Sequence, residues 1–297
     1  MPYVNVNDAY ILDNTGKQVD DAVDYALANS NRNLLDNPWF TVNQRGYTSN
    51  NLLQLQYWAD RWLRNTSTNG QGSLSLSNGV VTLTAPSGGG AFGNILQRMA
   101  DPSIINGKTI TLSLLKSDGT IISGSFVRTM GTAQTAYNSN NIKLQISASN
   151  AVVVQVENGA SISFKAVKLE LGSYSTLAND VPPDYGEELR KCQRYFIRLK
   201  NSGWTILGSG YASSATNLRV LIPLPVTMRA TPTRSYSGSF EVIGNGSNAL
   251  SVTNMTAGFV TANGLEIGVT TSGMTLYQTY HLVSQDTTAY IDFSADL

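Results

Sequence analysis

Alternation of apolar and polar side chains, broken at short intervals by turn residues, most limits what this chain can fold into. The clearest case is GSLSLSNGVVTLTA at 72–85, where two alternating runs meet at Asn78-Gly79. Successive side chains of a strand point to opposite faces, and Asn-Gly between two such runs is the strongest local hairpin signal. GKTITLSLL and GTIISGSF flank KSDG in the same way, and NIKLQISA, AVVVQVENG and SISFKAVKLEL continue the pattern. Many short strands joined by Gly, Asn and Ser turns predict a jelly-roll sandwich over residues 31–175. GGAFGNILQRMADPSIING at 89–107 is less regular and reads as holding a short helical turn between strands.

Residues 1–30 differ. Within them Lys17–Ala28 places Val19, Ala22, Val23, Ala26 and Leu27 on one face at helical spacing, with Asp20 and Asp21 near the start. A helix this short is marginal alone in water. The segment is therefore a helical attachment or oligomerisation piece, packed on the first module or against sister chains. SYSTLANDVPPDYGE at 173–187 contains Pro182-Pro183, which favours extended backbone and interrupts pairing, so 176–187 is taken as a linker. Alternation then returns in NLRVLIPLPVTMRATPT, SFEVIG, YQTYHLV and AYIDFSADL, predicting a C-terminal antiparallel β-sandwich over 188–297. The fold class is all-β: a short helical N-terminal segment, a jelly roll, and a second sandwich.

Composition narrows the chemistry. Charged residues are only 13%, and 20 basic residues balance 20 acidic ones, so the positive surface that tracks phosphates is missing and no nucleic-acid partner is expected. No apolar run reaches the length of a transmembrane helix. His281 and Cys192 are the only residues of their types, which leaves no metal-ligand motif and at most one candidate for a histidine-based triad. Neither a cofactor nor a metal is expected. Asp60, Asp101, Glu157 and Glu170 are conceivable glycosidase acids, and each has a plainer role in a turn, strand or ion pair. Asp60, for example, is expected to pair with Arg61 or Arg64.

Two strings near the start, NLLDNPWFTVNQRG at 33–46 and YWADRW at 57–62, resemble the opening of a jelly-roll module recurrent in bacteriophage tail-fibre and minor structural proteins, itself similar to carbohydrate-binding sandwiches. FKAVKLELGSYST at 164–176 resembles the exit of that module. PPDYGEELRKCQRYF, IPLPVTMRATPT and the ending FSADL resemble the junction and C-terminal domain of such fibre proteins, with Asp296 where Glu is commoner. The resemblance implies a homotrimer in the virion, made in the host cytoplasm. It would join another virion structural protein through residues 1–30 and attach to a bacterial surface glycan or protein. A connector fibre without receptor contact is the structural alternative, and a glycan depolymerase the enzymatic one.

Particular residues can be assigned roles beside that resemblance. Trp39 and Trp62 are expected in the core or at a subunit interface, while Tyr57 and Trp58 are candidates to stack on a sugar face. Asp60, Arg61 and Trp62 suggest a buried lock, and Arg45, Arg61 and Arg64 either clamp a carboxylate or tie loops to carbonyls. Arg190, Gln193, Arg194, Tyr195 and Phe196 suggest an anchored opening strand, with Met228 and Arg229 in the same packed region. Turns at 201–216, 244–249 and 271–275 are expected to form the outer surface, offering Trp204, Tyr211, Asn217, Asn245 and Asn248 as ligand contacts.

Overall fold

In the computed structural model, residues 31–200, 203–244 and 249–297 are described; the helix expected within 1–30, and Asn245 and Asn248, lie outside the described residues. The alternating segments of the first module form two six-stranded antiparallel sheets. One is ordered β1 (Ser49–Asn51), β4 (Ser73–Ser77), β5 (Val80–Thr84), β12 (Ser161–Leu171), β7 (Thr109–Lys116) and β8 (Ile121–Val127). The other is β2 (Gln56–Ala59), β3 (Trp62–Thr66), β6 (Phe92–Arg98), β11 (Ala151–Glu157), β10 (Ile142–Ile146) and β9 (Gln134–Ser139). Their inner faces meet in one core that includes Trp58, Trp62, Leu83, Ile95, Leu112, Val154, Phe164 and Leu169.

Turn chemistry fixes the pairing. Asn78 and Gly79 both have positive φ, 50° and 73°, as a two-residue hairpin loop matching strand twist requires. Asn158-Gly159 repeats the device between β11 and β12 at 53° and 76°. Across the KSDG hairpin, Asp118 accepts from the Thr120 amide and hydroxyl and from Lys116. The segment 89–107 does hold a helical turn, at Pro102–Ile105, capped by Asp101. Its first half is not irregular, however. It is β6, a central strand carrying Ile95 and Leu96.

Beyond β12 the chain folds back onto the sandwich. Lys168 and Glu170 lie fully buried; Lys168 Nζ is 2.6 Å from Asp180 Oδ1, and Glu170 accepts from the Thr176 amide. That buried network holds the segment around 176–180 against β12.

The second module opens on a helix, not on the expected strand. α1 spans Tyr185–Gln193, with Asp184 accepting from the Glu187 amide as N-cap, acidic Glu187 and Glu188 in its first turn, and Arg190 and Lys191 in its last. These charges suit the helix dipole, and the helix takes up Arg190 and Gln193 of the expected strand, which begins only at Phe196. Arg190 and Arg194 are exposed and Gln193 is half-buried. A three-stranded sheet follows, ordered β13 (Phe196–Lys200), β22 (Tyr290–Ser294) and β16 (Thr233–Ser237). A seven-stranded sheet is ordered β18 (Leu250–Ser251), β17 (Phe240–Gly244), β21 (Thr279–Ser284), β14 (Ile206–Ala212), β15 (Asn217–Pro223), β20 (Gly264–Thr270) and β19 (Asn254–Val260). They enclose a separate core of Ile197, Val220, Met228, Val242, Ile267, Leu282, Ile291 and Phe293.

Candidate functional site

The sequence strings that stand furthest apart meet between the modules. β2 and β3 are joined by the tight turn Asp60-Arg61, with Arg61 at φ 71° and a register shift between Tyr57 and Ala59. The bulge breaks the alternation, so Trp58 and Ala59 are both buried. Trp58 has no exposed surface, at 0%, and is therefore no sugar platform; it belongs to the core, as does Trp62. Phe40 fills the space around them, its ring 5.1 Å from Trp62 and 5.6 Å from Phe164. The Trp62 indole donates to the Asn37 carbonyl at 3.0 Å. Trp39, expected in the core or an interface, is half-buried and lines a cavity of about 160 Å³ with Arg32, Pro38, Asp180 and Lys191.

Asp60 sits buried at the hinge of this turn. Its partner is Arg45, not Arg61 or Arg64: Arg45 Nη1 is 3.4 Å from Asp60 and Nη2 2.5 Å from Asp296 in the second module. Gln44 adds its amide and side-chain donors to Asp60, and the same side-chain nitrogen donates to the Phe196 carbonyl at 2.7 Å. Arg61 reaches Asp36 at 3.0 Å and the Arg98 carbonyl at 2.9 Å. Burial pushes the carboxyls of Asp60 and Asp296 above the ordinary range, although Arg45 pulls both down.

Aromatic faces complete the seam. The Arg45 guanidinium lies 3.6 Å from the Phe196 ring centroid and 4.8 Å from Tyr57, and that of Arg61 lies 3.5 Å from Tyr195. Arg198 forms a two-pronged pair with Asp292, both contacts 2.7 Å, and donates to the Arg45 carbonyl. Tyr57 donates to the Leu297 carbonyl at 3.0 Å and accepts from its amide at 3.1 Å, and Arg98 donates to the same carbonyl at 2.6 Å. Arg229 donates to the Ala295 carbonyl at 2.9 Å, and Met228 is buried in the second core. Tyr57 thus joins the modules through its hydroxyl.

Of the contact residues expected in the second module, Trp204, Tyr211 and Asn217 are described. Residues 206–212 form β14 rather than a turn, with Trp204 before its start and Tyr211 near its end, where Tyr211 pairs with Arg219, two positions from Asn217. Trp204 and Tyr211 are exposed, at 62% and 45%. Asn217 opens β15, half-buried, and accepts from the Ser213 hydroxyl. His281 shares a 2.8 Å hydrogen bond with Ser209, and the Cys192 thiol is buried with its pKa pushed far up by desolvation. Among the described residues, no three His, Cys, Asp or Glu side chains are grouped to hold a metal ion, and no helix is long and apolar enough to cross a membrane.

Fold and junction together define an all-β protein of two modules keyed to each other by the buried Arg45–Asp296 ion pair and the hydrogen bonds and ring contacts around it. No protein-family model matches the sequence, and no curated protein does. Among solved structures, the chain is similar to the recombinant discoidin II of Dictyostelium discoideum at 10% identity, over 71% of this chain and 82% of that one, with a TM-score of 0.19. The wild-type discoidin II aligns at 9% identity over 89% and 92%, also at 0.19. A likeness of that score carries no argument, and the architecture stands on its own strands and cores.

Proposed function

We propose that this chain is a non-enzymatic fibre subunit of a bacterial virus that assembles as a homotrimer and attaches to a glycan on the host surface. The observation that carries the reading is the convergence of the strings resembling phage fibre proteins. VNQRG supplies Gln44 and Arg45, YWADRW supplies Tyr57, Asp60 and Arg61, CQRYF supplies Tyr195 and Phe196, and FSADL supplies Asp296 and Leu297. Side chains drawn from those strings and spent on one seam would build a stiff two-module unit. A fibre linking particle to surface needs such a unit. Residues 1–30 would join a virion scaffold, and three copies would multiply a weak contact by avidity.

Three measurements test this. Light scattering of the purified chain is expected to give three times the 32.0 kDa chain mass. Antibody raised against the chain is expected to decorate virus particles from the same source in electron micrographs. Incubation with bacterial surface polysaccharides should retain the chain on at least one of them and leave their chain length unchanged. A monomer that labels no particle would end the fibre reading, and shortened polysaccharide would replace attachment by depolymerisation. Labelled particles with no glycan binding would leave a connector.

A further inference from the structure

The second sheet of the jelly roll has a structured outer face. Ile95, Val152, Val154 and Leu144 point to the main core, whereas Leu63, Leu96, Ala151 and Val153 form a separate apolar cluster under Tyr57. Two clusters on one sheet identify its two sides. The alternation then assigns every remaining side chain, and the register lines up one transverse row on the outer side. Asn65 of β3 pairs with Asn94 of β6, Asn94 with Gln155 of β11, Gln155 with Lys143 of β10, and Lys143 with Asn138 of β9. Four of the five are amides. At strand spacing of about 4.8 Å the row runs about 19 Å.

One member is left incomplete. Asn94 is only 5% exposed, and its Oδ1 has no hydrogen-bond partner, while its Nδ2 reaches Gln155 at a long 3.5 Å. Buried polar groups are normally satisfied, and this covered acceptor on the outer side of the sheet is left without a donor. Its neighbours are oriented: Gln155 donates to Glu157 at 2.6 Å, and Lys143 reaches the same carboxylate at 3.2 Å. This ion pair leaves the row without net charge. Phe92, two residues before Asn94 on β6, is half-buried on the same side.

We infer that this row is a binding face for a neutral oligosaccharide segment of a bacterial surface glycan, an inference that rests on the attachment reading and gives it a site. Each side-chain amide offers donors and an acceptor on a short stem, matching adjacent sugar hydroxyls, and Phe92 offers a ring to an apolar sugar face. A peptide strand is a poorer occupant, because the row crosses the sheet and most of its strands already spend their main-chain groups on neighbours. A phosphate chain lacks positive charge to meet it. None of these five residues stands out in sequence, since only the register brings them together.

The test uses the full chain on an array of bacterial cell-wall, capsular and O-antigen polysaccharides, with Asn94→Leu, Gln155→Ala and Trp204→Ala beside the wild type. Asn94→Leu removes the orphan oxygen at similar volume, so its thermal midpoint is expected to hold or rise while binding falls at least tenfold. Gln155→Ala is expected to weaken the same glycan. Full binding by both row variants, or loss confined to Trp204→Ala, overturns the row and leaves attachment standing. A folded wild-type chain that binds no member of the array overturns both together.

Discussion

The interior of the first sandwich and the seam between the modules are both buried, yet they are built from opposite materials. The interior is apolar from Leu35 to Leu169, with aromatic rings packed at Phe40, Trp58, Trp62 and Phe164. The seam instead gathers Arg45, Asp60, Arg61, Arg198, Asp292 and Asp296 from a chain that is only 13% charged. Apolar contacts are non-directional and tolerate rearrangement, whereas a buried charge is costly in every arrangement but the one that pairs it. The core makes the module stable. The seam selects one way of joining two modules.

Breaking each region should therefore look different. The largest effect is expected from Trp62→Ala, which empties the core and removes the indole donor from the Asn37 carbonyl, costing about 3–5 kcal/mol. Denaturant unfolding followed by fluorescence should show the first module melting early. A cost under about 1 kcal/mol would mean the site collapses freely and the contrast is false.

Arg45→Met comes next. It leaves Asp60 and Asp296 buried without their shared cation, at a cost of about 3 kcal/mol. Here the expected sign is separation: two thermal transitions in place of one, and proteolysis near 176–187. A single unsplit transition would show that the ions do not couple the modules.

The pH profile sharpens the same point. Burial raises the folded-state pKa of Asp60 and Asp296, so the folded chain holds those protons more tightly than the unfolded chain. Their contribution is fully present below the ordinary carboxylate pKa of about 4 and is lost as pH rises through the raised values. Surface turns have the opposite sign. Hydrogen bonds from Ser103 lower Asp101 and those from Thr288 lower Asp286, so their contribution is lost as acid protonates them. Thermal midpoints across roughly pH 3 to 8 sum both signs, so the buried pair is read from a difference. The midpoint of the wild type minus that of Asp60→Asn should fall toward neutrality, and a difference that does not change with pH would remove Asp60 from the account.

Smaller effects are expected at the edges of both regions. Tyr57→Phe removes the acceptor of the Leu297 amide, while Arg98 still meets the Leu297 carbonyl, and should cost about 1 kcal/mol. Gly79→Ala, at φ 73°, should cost about 1 kcal/mol by backbone strain alone, with the seam intact. If Gly79→Ala split the transitions as Arg45→Met is expected to, core and seam would not be separable.

Much of the fold was legible from residues alone. Asn78-Gly79 and Asn158-Gly159 announce their hairpins because only such residues reach left-handed backbone easily, and alternating Val and Thr set which face of β5 is buried. The burial of Asp60, Arg61 and Trp62 was also foreseeable, since a chain with few charges seldom strands them in a tight turn. Their partners were not. Arg45 is separated by 251 positions from Asp296, and a carboxylate's environment depends on whatever folds against it.

Local chemistry, then, dictated strands, turns and an all-β architecture, because backbone preference and side-chain period act over a few residues. Which cation meets which anion, that a bulge turns Trp58 inward, and that Asn65, Asn94, Gln155, Lys143 and Asn138 share one row were decided only by the tertiary structure. Register and module docking are long-range quantities. They are fixed by the whole set of strands at once, and no short stretch of the chain contains them.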